Sequence, residues 1–372
     1  MMQDRTPTQR TVRLEVEQLE SRTVLTSFTG TLGWSIAAAD VVSDSFGVEY
    51  ITGNGPGAPG LVQVWDSTKG NLLSAFYPFG RNYRGGVYVA TGNIDGDPGQ
   101  IKELIVSTAG NTVGWVKVYS YSSGGLQQLA GLAPFGPTYT GGVQIASANV
   151  TGGPEAELIV GRERGRSTVQ VYAFDPIVTA FNLVRQFNAY GALNTGVTLA
   201  AANIHTTKNS PVDPYDYNYA EVITGRSVGL PQIRVFDVQT PAVRMLASYM
   251  AFDPNNPANL QGIHLAAGST DAQRGAEIYV ALRNSGTIRV FRGQTGTLIG
   301  QIRSVFPYTV FPPGYTRAVN FAIATTDDDF NDIYNTADLV VVAADSRLNQ
   351  FPIAFFGQKG SPAGFNGSRR LP

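Results

Sequence analysis

One pattern recurs along this chain: a glycine, a short run of small apolar residues, a loop, an acidic residue and a second apolar run. It is plainest as Gly85-Gly86-Val87-Tyr88-Val89-Ala90 with Glu103-Leu104-Ile105-Val106, and as Gly141-Gly142-Val143-Gln144-Ile145-Ala146 with Glu157-Leu158-Ile159-Val160. It returns as Gly196-Val197-Thr198-Leu199-Ala200 with Glu221-Val222-Ile223-Thr224, and as Gly262-Ile263-His264-Leu265-Ala266 with Glu277-Ile278-Tyr279-Val280. Weaker copies flank these four, at Gly33-Trp34-Ser35-Ile36-Ala37 with Glu49-Tyr50-Ile51-Thr52 and at Ala318 to Ala324 with Asp338-Leu339-Val340-Val341. The acids Glu49, Glu103, Glu157, Glu221, Glu277 and Asp338 recur at intervals of 54 to 64 residues, which marks a repeat architecture in which no unit can bury its apolar surface alone.

Each copy continues with an alternating run such as Val116-Lys117-Val118-Tyr119 or Ile233-Arg234-Val235-Phe236, the pattern of a half-buried strand. A fourth run ends in an aromatic, as in Phe76-Tyr77-Pro78-Phe79 and Leu132-Ala133-Pro134-Phe135. Four short antiparallel strands per unit, packed face to face with their neighbours, make a β-propeller. The expected fold is all-β: six four-stranded blades, or seven if one copy is hidden. The last copy lacks a fourth run, and residues 24–29 are expected to close the ring as its outer strand. The expected layout is an N-terminal export or sorting segment over 1–23, a single propeller over 24–356 and a tail over 357–372.

The repeats resemble the FG-GAP and VCBS-type repeats of integrin α-chain N-terminal propellers and of bacterial secreted relatives. The likeness is carried by Phe79-Gly80 and Phe135-Gly136, by Gly53-Asn54-Gly55-Pro56-Gly57-Ala58-Pro59, and by Asn93-Ile94-Asp95-Gly96-Asp97, over residues 28 to 356. The first residues, with Leu14-Glu15 and Leu19-Glu20-Ser21-Arg22 before Val24-Leu25, are similar to a short segment found on large bacterial extracellular proteins. Together these resemblances imply an extracellular or cell-surface protein that acts in adhesion.

Composition narrows the partners. With 27 basic and 28 acidic residues there is no positive excess to release counterions from a nucleic acid. The absence of cysteine removes disulfides, thiolate metal sites and a cysteine nucleophile. No apolar run is long enough for a membrane-spanning helix. A monomer is expected.

The loop carrying Asn93, Asp95 and Asp97, closed by Glu103, places hard oxygen ligands on alternate residues, and calcium is the expected ion. Asp327, Asp329, Asn331 and Asp338 occupy the same positions in the last copy. The other loops are poorer in carboxylate, and there the repeated acid has another task, accepting hydrogen bonds from backbone N–H groups of the preceding loop. No catalytic residues stand out. His264 lies inside an apolar run, and Arg162, Arg164 and Arg166 read as a solvated cluster. The long insertion with Tyr215, Tyr217 and Tyr219 offers aromatic surface for a sugar or a protein. The expected function is non-catalytic recognition or adhesion toward protein or glycan, locally stabilised by calcium. The alternative is a polysaccharide hydrolase or lyase with its site in the central funnel.

Overall fold

The computed structural model of the chain describes residues 35–42, 48–66, 71–96, 101–122, 125–153, 155–204, 219–268, 276–285, 287–292, 303–309, 319–324, 338–343 and 353–356. The first sheet pairs β1 (Ser35–Ala39), β2 (Glu49–Gly53), β3 (Val62–Asp66) and β4 (Leu72–Phe76) in that order. The second pairs β5 (Val87–Gly92), β6 (Glu103–Thr108), β7 (Val116–Ser122) and β8 (Gly125–Leu132). The third consists of β9 (Val143–Ala148), β10 (Glu157–Arg162), β11 (Thr168–Asp175) and β12 (Ala180–Asn188). The fourth has β13 (Val197–Ala202), β14 (Glu221–Arg226), β15 (Gln232–Asp237) and β16 (Arg244–Met250). The fifth has β17 (Ile263–Gly268), β18 (Glu277–Leu282), β19 (Thr287–Arg292) and β20 (Arg303–Thr309). All pairings are antiparallel.

The expected count of six or seven four-stranded blades is thereby corrected: among the described residues five blades have four strands. The last copy forms a three-stranded sheet, β21 (Val319–Ala324), β22 (Asp338–Ala343) and β23 (Ile353–Phe356). Its edge strand β23 pairs with β22, and no described segment pairs with its other side. The physical reason is in the sequence itself, since no alternating run follows Phe356 as one does in the five complete copies. Residues 24–29, expected to close the ring, lie outside the described residues, as do the proposed N-terminal segment and the tail. The first strands of successive sheets lie against one another, β1 on β5, then β9, β13, β17 and β21, and β21 packs back on β1.

Burial falls from the axis outward. The second strands read as continuous apolar runs because both their faces are covered, and every residue of β6 and β18 is buried. The third strands alternate, as β3 does, and the outer strands are the most exposed, with no buried residue in β4 or β12. The core consists of seams between blades: Tyr88, Ile105 and Val118 of the second pack with Val143, Leu158 and Val160 of the third. A register shift between the third and fourth strands recurs at the same place, between Val64 and Trp65, Val118 and Tyr119, Val171 and Tyr172, and Val235 and Phe236. Each bulge adds twist immediately before the aromatic of the repeated motif.

The repeated glycine ahead of the first strand has a steric task. Gly86, Gly142, Gly196 and Gly262 all take left-handed φ values, between 57° and 91°. At Gly196 a Cβ would collide with the carbonyl oxygen of Glu163 on the preceding blade. Only glycine combines that backbone with that approach.

Candidate functional site

The antiparallel order gives the propeller two unlike ends. At one end the first strand of each blade turns into the second, and here the repeated acid works on the backbone. Oε2 of Glu49 accepts from the Val41 and Val42 N–H groups at 2.8 and 3.2 Å. Oε2 of Glu103 accepts from Ile94 and Asp95, that of Glu157 from Val150 and Thr151, and that of Glu221 from Ile204. The carboxylates thus replace the pairing that the loop backbone lacks. Burial pushes the Glu103 carboxyl up to about 7, against the pull of the Ile94 N–H.

This end also carries the described part of the predicted calcium loop. Asn93 Oδ1 accepts from the Gly96 N–H at 2.9 Å, and Asp95 sits beside Glu103. Asp97, Asp327, Asp329 and Asn331 lie outside the described residues, and Asp338 opens β22 with its side chain undescribed. Among the described residues no three His, Cys, Asp or Glu side chains converge on a point that could hold a metal. Of the predicted aromatic insertion only Tyr219 is described, half-buried with its ring against Gly152, and Tyr215 and Tyr217 lie outside.

The opposite end, formed by the links between blades and the turns from second to third strands, holds groups that the repeats did not single out. Between the first two blades lies a cleft of about 860 Å³, walled by Phe79, Asn82, Tyr83, Arg84, Asn111, Thr112, Trp115 and Lys117. Its shape is held rigidly. Tyr83 Oη lies 2.8 Å from the carbonyl oxygens of Gly86 and Gly110, and Phe79 packs edge-on to the Tyr83 ring at 5.7 Å. Burial pushes the Tyr83 hydroxyl up to about 12. The Trp115 N–H donates to Thr108 Oγ1 at 3.0 Å and Gly114 N–H to the Tyr139 carbonyl at 2.8 Å. On this fixed backbone Trp115 is 42% exposed. Beside it, Asn111 holds a φ of 61°, a conformation asparagine tolerates better than most residues. The sequence motifs supply Phe79, Gly80 and Lys117 to this cleft, but the repeats did not mark Trp115.

The inner strands share a polar position: Ser35, first in β1, and Tyr88, Gln144, Thr198, His264 and Asn320, each second in its strand. Two positions further on, all six strands carry alanine: Ala37, Ala90, Ala146, Ala200, Ala266 and Ala322. Small side chains in this layer leave a chamber of about 190 Å³ along the axis. At the polar end, Glu163 on the third blade and Arg283 on the fifth occupy equivalent positions just past β10 and β18. Both Nη1 and Nη2 of Arg283 donate to Glu163 Oε1 at 3.0 Å. The pair also acts on the channel wall. Glu163 raises the already burial-raised pKa of Tyr88, while burial and Arg283 hold His264 down at about 3. Of the arginine cluster, Arg162 lies over the Phe135 and Tyr139 rings at 5.1 and 4.7 Å and is a packing residue.

No helix among the described residues is long and apolar enough to cross a membrane. No family model matches the chain, and no curated protein matches its sequence. Solved structures do resemble it. A protein from Lactobacillus plantarum is 16% identical over 86% of this chain and 83% of its own, with a TM-score of 0.46. A Bacteroides fragilis protein described as a candidate 6-phosphogluconolactonase is 14% identical over 87% of this chain and 80% of its own, with a TM-score of 0.49. The propeller architecture of the chain rests on its own strand order and on the ring of inner strands.

Proposed function

We propose that the protein is a non-catalytic recognition module that binds a glycan in the cleft between its first two blades. The observation that carries this reading is the exposed Trp115 face, held by backbone hydrogen bonds among amide, hydroxyl and cationic side chains. An indole offers a flat apolar surface for the C–H face of a sugar ring, while Asn82, Asn111, Thr112 and Arg84 can reach its hydroxyls. A site already rigid without ligand loses little entropy on binding. No carboxylate lines the cleft or the axial chamber among the described residues, whereas glycoside hydrolysis ordinarily uses a pair of them. A glycan-binding role fits an extracellular or cell-surface setting, which the resemblance of the N-terminal segment also suggests.

The test is a glycan array probed with the full chain and with Trp115→Ala. The reading predicts saturable binding to at least one glycan, weakened about tenfold by the substitution, which is roughly 1.4 kcal/mol. An array with no binder defeats it. So does release of reducing or unsaturated sugar from a bound polysaccharide.

A further inference from the structure

We propose, on the glycan reading of the cleft, that the glycan bound there is acidic, with carboxylate or sulfate groups on its repeating units. The net charge of −1 conceals a separation of charge between the two ends of the propeller. At the end that holds the cleft, the links between blades and the turns from second to third strands carry Arg81, Arg84, Arg164 and Arg166, all exposed, and Lys117 stands half-buried near the start of β7. Among the described residues the only acids at that end are Glu163, already bound to Arg283, and Asp253. The opposite end carries the capping acids together with Asp66, Asp95, Glu155 and Asp175, against Lys102, Arg185 and Arg244. Such a separation draws anions to one face of a nearly neutral molecule.

Arg84 and Lys117 line the cleft, and among the described residues no carboxylate lies within ion-pair distance of either. Both are held in place. The Arg84 carbonyl accepts from the Gly57 N–H at 2.8 Å, and Arg84 Nη1 donates to the Arg81 carbonyl at 3.3 Å. Lys117 Nζ donates to the Pro78 carbonyl at 2.8 Å, which leaves ammonium donors for a ligand. A guanidinium with open N–H groups matches the oxygens of a carboxylate or sulfate. One tryptophan among amide side chains suits a sugar ring better than a run of stacked bases. The same device recurs one blade on. Phe135 packs edge-on to Tyr139 at 5.2 Å, as Phe79 does to Tyr83, and the Tyr139 hydroxyl donates to the Gly142 carbonyl at 2.8 Å while accepting from the Arg164 N–H at 3.3 Å. Arg164 and Arg166 have no carboxylate partner there among the described residues, so the next link presents further cations to a chain of acidic units leaving the cleft.

Isothermal titration of the full chain with oligogalacturonate and with a heparin oligosaccharide, each beside its neutral counterpart, tests this; the counterparts are the methyl ester and the desulfated, carboxyl-reduced form. The expected result is saturable binding of at least one acidic oligosaccharide, about tenfold or more tighter than its neutral counterpart. That binding should weaken about tenfold as sodium chloride rises from about 0.05 to about 0.5 M. Arg84→Gln should weaken the acidic ligand by about fivefold or more and its neutral counterpart by clearly less, with far-ultraviolet circular dichroism unchanged. Joint replacement by Arg164→Gln and Arg166→Gln should weaken acidic oligosaccharides long enough to reach the next link by about threefold. Failure of both acidic oligosaccharides to bind overturns the proposal, and the glycan array decides separately whether the glycan reading stands. Neutral forms that bind as tightly as the acidic ones, with binding lost in Trp115→Ala, would overturn the acidic assignment and leave the glycan reading standing. Oligothymidylate bound as tightly as the acidic sugar would show that this end reads charge alone, and likewise overturns the proposal.

Discussion

Glu157 shows how much one side chain can organise. Its buried carboxylate accepts two backbone N–H groups, from Val150 and Thr151, and the Thr151 hydroxyl as well. Removing it leaves the buried Val150 N–H and the half-buried Thr151 donors without this acceptor. Glu157→Ala should therefore cost about 2–3 kcal/mol in urea unfolding, and Glu157→Gln, which keeps an oxygen, clearly less. Equal losses would mean that the carboxylate's acceptor role does not matter. The role was legible in advance, because an acid at one fixed place in every copy, even where the loop offers no other ligand, must serve the backbone. His264 carries a prediction about pH. The unfolded chain binds this proton near pH 6.5, whereas the folded one holds off until about 3, so between those values the unfolded state binds more protons. The contribution is complete above about pH 6.5 and is lost as pH falls toward 3. Melting temperatures of His264→Gln should accordingly fall less than those of the native chain from about pH 6 to about pH 4. Superimposable profiles would reject the assignment. Nothing in the run Gly262-Ile263-His264-Leu265 announced this, because the position faces the channel only once the strands form a ring.

At the scale of the element, the linking glycines and the third strands join each blade to the next. Gly196 and Gly191 both have left-handed φ, but only at Gly196 would a Cβ strike the preceding blade; at Gly191 nothing lies within 4 Å. Gly191→Ala should cost about 1–2 kcal/mol of backbone strain alone, and Gly196→Ala markedly more, by guanidinium unfolding. Matching losses would show that the close approach carries no weight. The third strands add cationic clamps. Lys117, Arg234 and Arg289 each donate to a carbonyl of the preceding blade, Pro78, Ala189 and Ala251, all at 2.8 Å. Each also lies over the aromatic next in sequence, Phe79, Tyr190 or Phe252. Arg289→Met, which keeps the aliphatic stem, should destabilise by about 1–3 kcal/mol in the same assay. Alternation marked these residues as the polar partners of a half-buried strand. Their targets are some 40 residues away in sequence and appear only when the blades stack.

Over the whole molecule, the Glu163–Arg283 pair ties the third blade to the fifth across the channel mouth, 120 residues apart. With Glu163 only 5% exposed, its removal strands a guanidinium at a largely dry site. Glu163→Ala should cost about 3–5 kcal/mol, and joint replacement of both partners by methionine should recover much of that; a double substitution worse than the single would contradict the account. Because the apolar clusters span blade boundaries, unfolding should remain one cooperative transition in these variants. The sequence by itself determined the repeated four-stranded unit, the propeller class, the capping acids and the linking glycines, since all of these are local and recur with the period. It suggested six complete blades, but the last copy, with no fourth alternating run, yields three described strands against four in the other five. Tertiary structure alone decided the cleft under Trp115, the polar ring around Gln144 and His264, and the ion pair over it. Each of these joins residues from different blades, and only closure of the ring brings together side chains that local periodicity treats as unrelated.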